Sequence, residues 1–207
     1  MSTANLRQNM RRNLLISQLC LVGCLILASL LMPSVVKTNG GVSNFGNHLL
    51  TVIPYSLGFI VSIVYLVRAG RLLAANQQYK KHMYALYGFS GLEAIVYLST
   101  FLRRFAWVFS QIHDGLGIIL FAYAFILSIW WTVQRFNLVA LAFFAIQTIG
   151  DTIGLITIAG AFHLLYYAQA IGMIGFSLVL VYLLPSIIDE HVSPAVDLTR
   201  LPTRQDQ

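Results

Sequence analysis

Residues 138–158 read LVALAFFAIQTIGDTIGLITI, a run in which Asp151 is the one charged side chain. At 1.5 Å of rise per residue, a helix of about 20 residues spans about 30 Å, the thickness of the hydrocarbon core of a bilayer. Backbone amides in hydrocarbon meet no water. A lipid-embedded run of this kind therefore has to satisfy its hydrogen bonds internally, as an α-helix. Five more runs of the same character lie at 13–32, 49–67, 84–102, 116–133 and 163–185. The six together predict an all-α fold, a polytopic membrane protein built as a six-transmembrane-helix bundle. It is expected to fill residues 1–188, with a disordered cytoplasmic tail at 189–207.

Composition points the same way. Hydrophobic residues make up 58% of the 207-residue chain and charged residues 10%. A water-soluble domain of this length carries far more charge on its surface. The net charge of +6 would suit a nucleic-acid partner if it were gathered on one face, but it is dispersed among the links between spans. Arg7, Arg11, Arg12, Arg68, Arg71, Lys80, Lys81, Arg135, Arg200 and Arg204 fall on one side of a six-span topology. Lys37, Arg103 and Arg104 fall on the other, ten against three. The bias of Lys and Arg toward cytoplasmic links then predicts both termini in the cytoplasm, in a membrane such as the bacterial cytoplasmic membrane. Arg7, Arg11 and Arg12 before an apolar run resemble the start of a signal peptide. The run is longer than a signal core and no A-x-A site follows it, so a retained first helix is expected.

The links carry their own signals. Asn39-Gly40-Gly41 and Asn44 to Gly46 are turn chemistry in a first outer loop at 33–48. The basic stretch 68–83 reads as a partly helical cytoplasmic loop. The stretch 103–115, with Phe105, Trp107, Phe109 and Ile112, reads as an interfacial outer segment. Tight turns at 134–137 and 159–162 make the last three spans sequential antiparallel neighbours. Cys20 and Cys24, four apart in the first span, are badly placed for a disulfide.

Two carboxylates fall well inside apolar runs, Glu93 and Asp151. A charge at the bilayer centre costs about 2.5–3.5 kcal/mol on insertion scales, so such residues turn toward a protein interior or a wet cavity. Ser90, Glu93, Tyr97, Thr100 and Arg104 recur every three or four residues and form one helix stripe. Gln147 lies one turn before Asp151, and Gly150 with Gly154 offers a small-xxx-small face for close helix contact. Gln169 and His163 belong to the sixth span. By helix rise Glu93, Asp151 and Gln169 lie about 9–13 Å below the outer end of their helices. Glu93, Asp151, Gln147, Tyr97, Gln169 and His163 are therefore the candidate ligand-binding set. The bland alternative is that each acid is protonated or paired and ties helices together.

Catalytic and metal signals are thin. Gly88-Phe89-Ser90-Gly91 resembles the GxSG element of rhomboid intramembrane proteases, with His163 as a conceivable base. Ser90 lies on the third span where that family places its serine on the fourth, and the family's first-loop Trp-Arg pair is absent from 33–48. Small residues for helix packing account for the element without catalysis. The five His residues show no metal-ligand spacing, so neither a metal nor a cofactor is expected.

The Val42-Ser43-Asn44-Phe45-Gly46 element, followed by Tyr55-Ser56-Leu57-Gly58-Phe59, resembles a bacterial six-helix membrane family of unknown function that is distantly similar to the DRAM-like membrane proteins. Asn44 stands where that family often has an acidic residue. The resemblance implies no known activity. Read physically, Ser43 and Asn44 would either cap the second helix region or fix the loop over the bundle mouth. The resulting expectation is an integral membrane protein that binds or moves a small solute or lipid through an outward-facing polar pocket. Its partners would be membrane lipids and a small polar or cationic ligand, with no nucleic acid. Alternatives are a membrane-embedded enzyme acting on lipid or peptide, and a structural or assembly subunit of a membrane complex.

Overall fold

The computed structural model describes residues 3–37, 41–103, 105–160 and 163–190, which form helices and links and, among those residues, no strand. Six long helices are α1 (Thr3–Leu31), α3 (Val52–Ala74), α4 (Lys80–Leu102), α5 (Trp107–Gln134), α6 (Leu138–Ile158) and α7 (Leu165–Glu190). Each contains a span long and apolar enough to cross a membrane. The short α2 (Pro33–Val36) and two 3₁₀ turns, Val42–Asn47 and Gln77–Tyr79, complete the set. Local chemistry marks the boundaries. Pro33 opens α2, where its missing N–H goes unmissed. The Asn137 side chain accepts from the Ala140 N–H at 2.9 Å and starts α6. Gly160, at φ +87°, follows its end.

Large apolar side chains cover the outside: Leu30 is 74% exposed, Ile53 74% and Val133 72%. In water that much continuous apolar surface would be a liability, whereas against acyl chains it is the natural solvent-facing layer. The all-α six-helix bundle expected from the sequence is the observed architecture.

Neighbour relations define its shape. α1 packs on α3, α3 on α4, α4 on α5, α5 on α7, and α7 returns to α1. These five helices form a ring, and α6 lies outside it along α7, touching α5 more lightly. The α6–α7 seam is close because a Cβ on Gly175 would run into the backbone of Gln147, and one on Gly150 into the backbone of Gly172. Gly154, the second half of the expected small-xxx-small pair, is less constrained, with Ala168 Cβ at 3.6 Å from where its own Cβ would stand.

Two apolar cores fill the ring. One, at the end bearing the N-terminus, gathers Leu14, Leu66, Leu86, Trp131 and Leu183. The other, at the end bearing the Val42–Asn47 turn, gathers Leu21, Leu25, Phe45, Tyr55 and Phe59. Between them runs a polar belt. Ser17 and Gln18 sit between Leu14 and Leu21 on α1, Ser62 between Phe59 and Leu66 on α3, and Glu93 follows Phe89 on α4.

Several boundaries differ from the sequence expectation. α1 starts at Thr3, so Arg7, Arg11 and Arg12 ride on helix that continues beyond the apolar run. Arg, Gln, Leu and Met are all good helix formers, and the helix has no reason to stop where lipid does. The expected interfacial segment at 103–115 is mostly the first turns of α5, which begins at Trp107, with Phe105, Trp107 and Ile112 exposed. α7 continues through Pro185 to Glu190 where it was expected to end at 185. Beside Pro185, Ser186 Oγ donates to the Leu183 carbonyl at 2.7 Å, and Arg135 Nη2 donates to the Ser186 carbonyl at 2.9 Å. Asp189 and Glu190 thus belong to α7 and not to a tail, and 191–207 lie outside the described residues, as do Asn39, Gly40 and Arg104.

Candidate functional site: a central chamber at Glu93

The polar belt borders a chamber of about 90 Å³ inside the helix ring. A single buried water needs about 10–15 Å³ on the same kind of measure, so there is room for several waters or a small organic molecule. α4 contributes Glu93, with Phe89 and Val96 one turn to either side. α3 supplies Tyr55 and Phe59, α1 supplies Gln18, and α5 presents His113, Phe121 and Ala124 from one face. α7 contributes Gln169, Gly172 and Phe176. Gln147 enters from α6, because glycine at 175 lets its backbone lie against α7.

Glu93 is the distinctive member. Its side chain is 2% exposed, and neither carboxyl oxygen has a hydrogen-bond partner. The Ser62 hydroxyl is the polar group beside it; that hydroxyl also lies 3.1 Å from Ser17 Oγ, a contact in which either oxygen can be the donor. The rest of the belt is well connected. Gln18 Nε2 donates to Ser17 Oγ at 2.9 Å, and Ser177 Oγ donates to Gln18 Oε1 at 2.6 Å, so α1, α3 and α7 are tied together. Ser128 Oγ of α5 donates to Gln147 Oε1, leaving Gln147 Nε2 unpaired. His113 Nδ1 pairs with Ser99 Oγ at 2.8 Å. A carboxyl left bare in a protein interior is unusual, because an unmade buried hydrogen bond costs about 1–3 kcal/mol; Asp151 on α6 is the other acid in that state.

The Val42–Asn47 turn lies across one end of the chamber and lends it Val42 and Ser43. Gly41, at φ +67°, turns the chain inward. The Val42 N–H then donates to Gln169 Oε1 at 2.7 Å, and Arg103 Nη1 donates to Ser43 Oγ at 2.8 Å. Phe45 is fully buried and meets Tyr166 edge-on at 5.8 Å. Thr51 Oγ1 donates to the Phe45 carbonyl at 2.7 Å. Gly46 is obligatory here, since a Cβ would stand 2.7 Å from Thr100 Cγ2 and 2.9 Å from Tyr55 Cε1. The loop expected over the bundle mouth is thus seated by α3, α4 and α7 together.

Of the six residues expected to form the site, Glu93, Gln147 and Gln169 line the chamber. Asp151 does not. Its Oδ1 lies against Gly172 on the α6–α7 seam, with both oxygens unpaired and Gln147 beside it. Tyr97 is half-buried one layer out, stacked on Phe59 at 5.8 Å. His163 is exposed before the start of α7. Gln18 and His113 line the chamber without having been in the expected set. Ser17-Gln18 interrupting an apolar run was the available signal for the first. His113 was legible only as a polar residue near a helix mouth.

Ser90 Oγ donates to its own helix, at the Tyr87 carbonyl 3.1 Å away, and a Cβ on Gly88 would meet Tyr123 Oη at 2.7 Å, which marks a packing face. Among the described residues no three His, Cys, Asp or Glu side chains gather as metal ligands. The sulfurs of Cys20 and Cys24 are 3.9 Å apart, both free. Compared with models of protein families, with curated proteins and with solved structures, the chain matches none.

Proposed function

We propose that this protein holds a small polar or cationic solute, or a lipid headgroup, in the Glu93 chamber and exchanges it through the end covered by the Val42–Asn47 turn. The observation that carries this reading is the unpartnered, 2%-exposed Glu93 carboxyl on the wall of a 90 Å³ space. Folding alone gives no reason to keep a bare acid there, because a hydrocarbon side chain would remove the cost. A ligand that supplies positive charge or donor hydrogens gives one. The ten-to-three bias of basic residues supports termini in the cytoplasm and the chamber mouth on the outer face. The enzymatic alternative is less favoured, because the Ser99 hydroxyl that stands 2.8 Å from His113 Nδ1 is buried, donates to the Val96 carbonyl of its own helix and is not among the chamber-lining residues.

The test is thermal unfolding of the detergent-purified protein against a panel of inorganic cations, organic amines, polyols and soluble phospholipid headgroups. A compound that raises the melting temperature of the wild type and not of Glu93→Gln is the expected result. A panel with no Glu93-dependent shift would refute the proposal.

A further inference from the structure

Resting on that reading, we infer that the chamber's occupant is a small alkylammonium ion, in preference to a metal ion, a polyol or an anion. The chemistry of the walls narrows the choice. Five aromatic rings line the space: Tyr55, Phe59, Phe89, Phe121 and Phe176. They arrive as packed pairs, Tyr55 with Phe59 at 4.7 Å between centroids and Phe89 with Phe176 at 4.6 Å, so the cage is preformed. Aromatic walls with one carboxylate attract an organic cation twice over, through ring quadrupoles and through charge.

The other classes fit poorly. The buried polar side-chain atoms of the chamber that lack a partner are the two Glu93 oxygens and Gln147 Nε2. A hard divalent cation takes six or more oxygens and favours several carboxylates, and Glu93 is the one carboxylate among the chamber-lining residues. A polyol needs matched donors and acceptors around its whole surface, and Gln18 already spends both ends of its amide on Ser17 and Ser177. An anion would meet the Glu93 carboxylate. Arg103 stands at the covering turn, bonded to Ser43, and is not among the chamber-lining residues. A single positive charge with an apolar shell matches what remains: one acidic group and aromatic faces.

The test uses the full-length protein in detergent micelles and isothermal titration calorimetry. The probes are methylammonium, tetramethylammonium and choline, together with 3,3-dimethyl-1-butanol, the uncharged carbon isostere of choline. Potassium and calcium salts, glycerol and inorganic phosphate serve as the other classes. At least one ammonium ion is expected to bind, choline about tenfold or more tighter than its isostere, as one lost charge contact implies. Glu93→Gln should erase that preference. Phe176→Leu, which keeps the acid and most of the volume, should weaken ammonium binding several-fold and leave the isostere little changed. Equal binding of choline and its isostere would overturn the ammonium assignment and leave a ligand chamber in place. Binding of a metal, polyol or phosphate in a Glu93-dependent way, with no ammonium ion binding, would do the same. Binding of no probe would overturn the ammonium assignment, and if the broader solute panel also gave no Glu93-dependent shift, the ligand reading would fall with it.

Discussion

Replacing Glu93 by leucine should make the empty protein more stable. The carboxyl is buried at 2% exposure with neither oxygen paired, beside a Ser62 hydroxyl already shared with Ser17. An unsatisfied buried polar group costs about 1–3 kcal/mol, and insertion scales put a central membrane charge at about 2.5–3.5 kcal/mol. Leucine is one atom shorter in reach and branched, and the adjoining 90 Å³ space accepts its methyl groups without forcing Phe89 or Val96 to move. Burial from lipid brings little hydrophobic gain, so the whole effect comes from the relieved polar group. The expected stabilisation is roughly 1–3 kcal/mol. Glu93→Gln should do less, since its amide brings two donors that also need partners. The assay is SDS-induced unfolding of micelle-purified protein followed by far-UV circular dichroism, without added ligand. A leucine variant destabilised by more than about 1 kcal/mol would show that the carboxyl holds a protein partner at rest, and the ground for a ligand there would be gone.

Gly175→Ala should be among the most damaging small changes in the chain. Its Cβ collides with the Gln147 backbone, so α6 must move off α7. The cost is about 1–3 kcal/mol, read by the same SDS titration, and a neutral result would contradict the tight seam. Removing the His82 ring should cost about 1–3 kcal/mol, because Trp131 Nε1, on a fully buried indole, loses its acceptor at 3.1 Å; an unaltered melting curve and tryptophan emission would argue against that bond. A reporter active only in the cytoplasm should work when fused after Gln207 and be silent when inserted between Arg103 and Ala106; the reverse pattern would invert the topology. Thiol titration of the air-exposed, SDS-unfolded protein should return both Cys20 and Cys24 as free, and a single-turn disulfide would contradict their 3.9 Å spacing.

The spans were legible because hydropathy and span length are one-dimensional quantities, and 138–158 became α6 with the same bounds. Helix ends were less legible, since hydropathy reports lipid and not helix. The stretch 103–115 read as an interfacial outer segment from Phe105, Trp107, Phe109 and Ile112, while from Trp107 on its backbone is already α5. The inward face of Glu93 followed from its stripe with Ser90 and Thr100, all three buried. Grouping Glu93 with Asp151 by depth failed to foresee the chamber's limits, because depth says nothing about angle around the bundle. Asp151 is turned onto Gly172, and Gln147 one turn away reaches the chamber in its place. The seat of the Val42–Asn47 turn depends on Gln169 and Arg103, which no local pattern could have paired with it.

That seat also sets a schedule for biosynthesis. Val42 and its acceptor Gln169 are 127 positions apart. At translation rates of roughly 5–20 residues per second, about 6–25 s separate the two at the ribosome. Throughout that interval α1 has α3 but lacks its α7 neighbour, the turn lacks its Gln169 anchor, and the wall of the Glu93 chamber formed by α7 does not yet exist. The nascent protein therefore carries its acid unsheltered until the final helix inserts. A chain stopped before Leu165 would leave the ring open between α1 and α5 and the Glu93 chamber without the wall that Gln169, Gly172 and Phe176 supply.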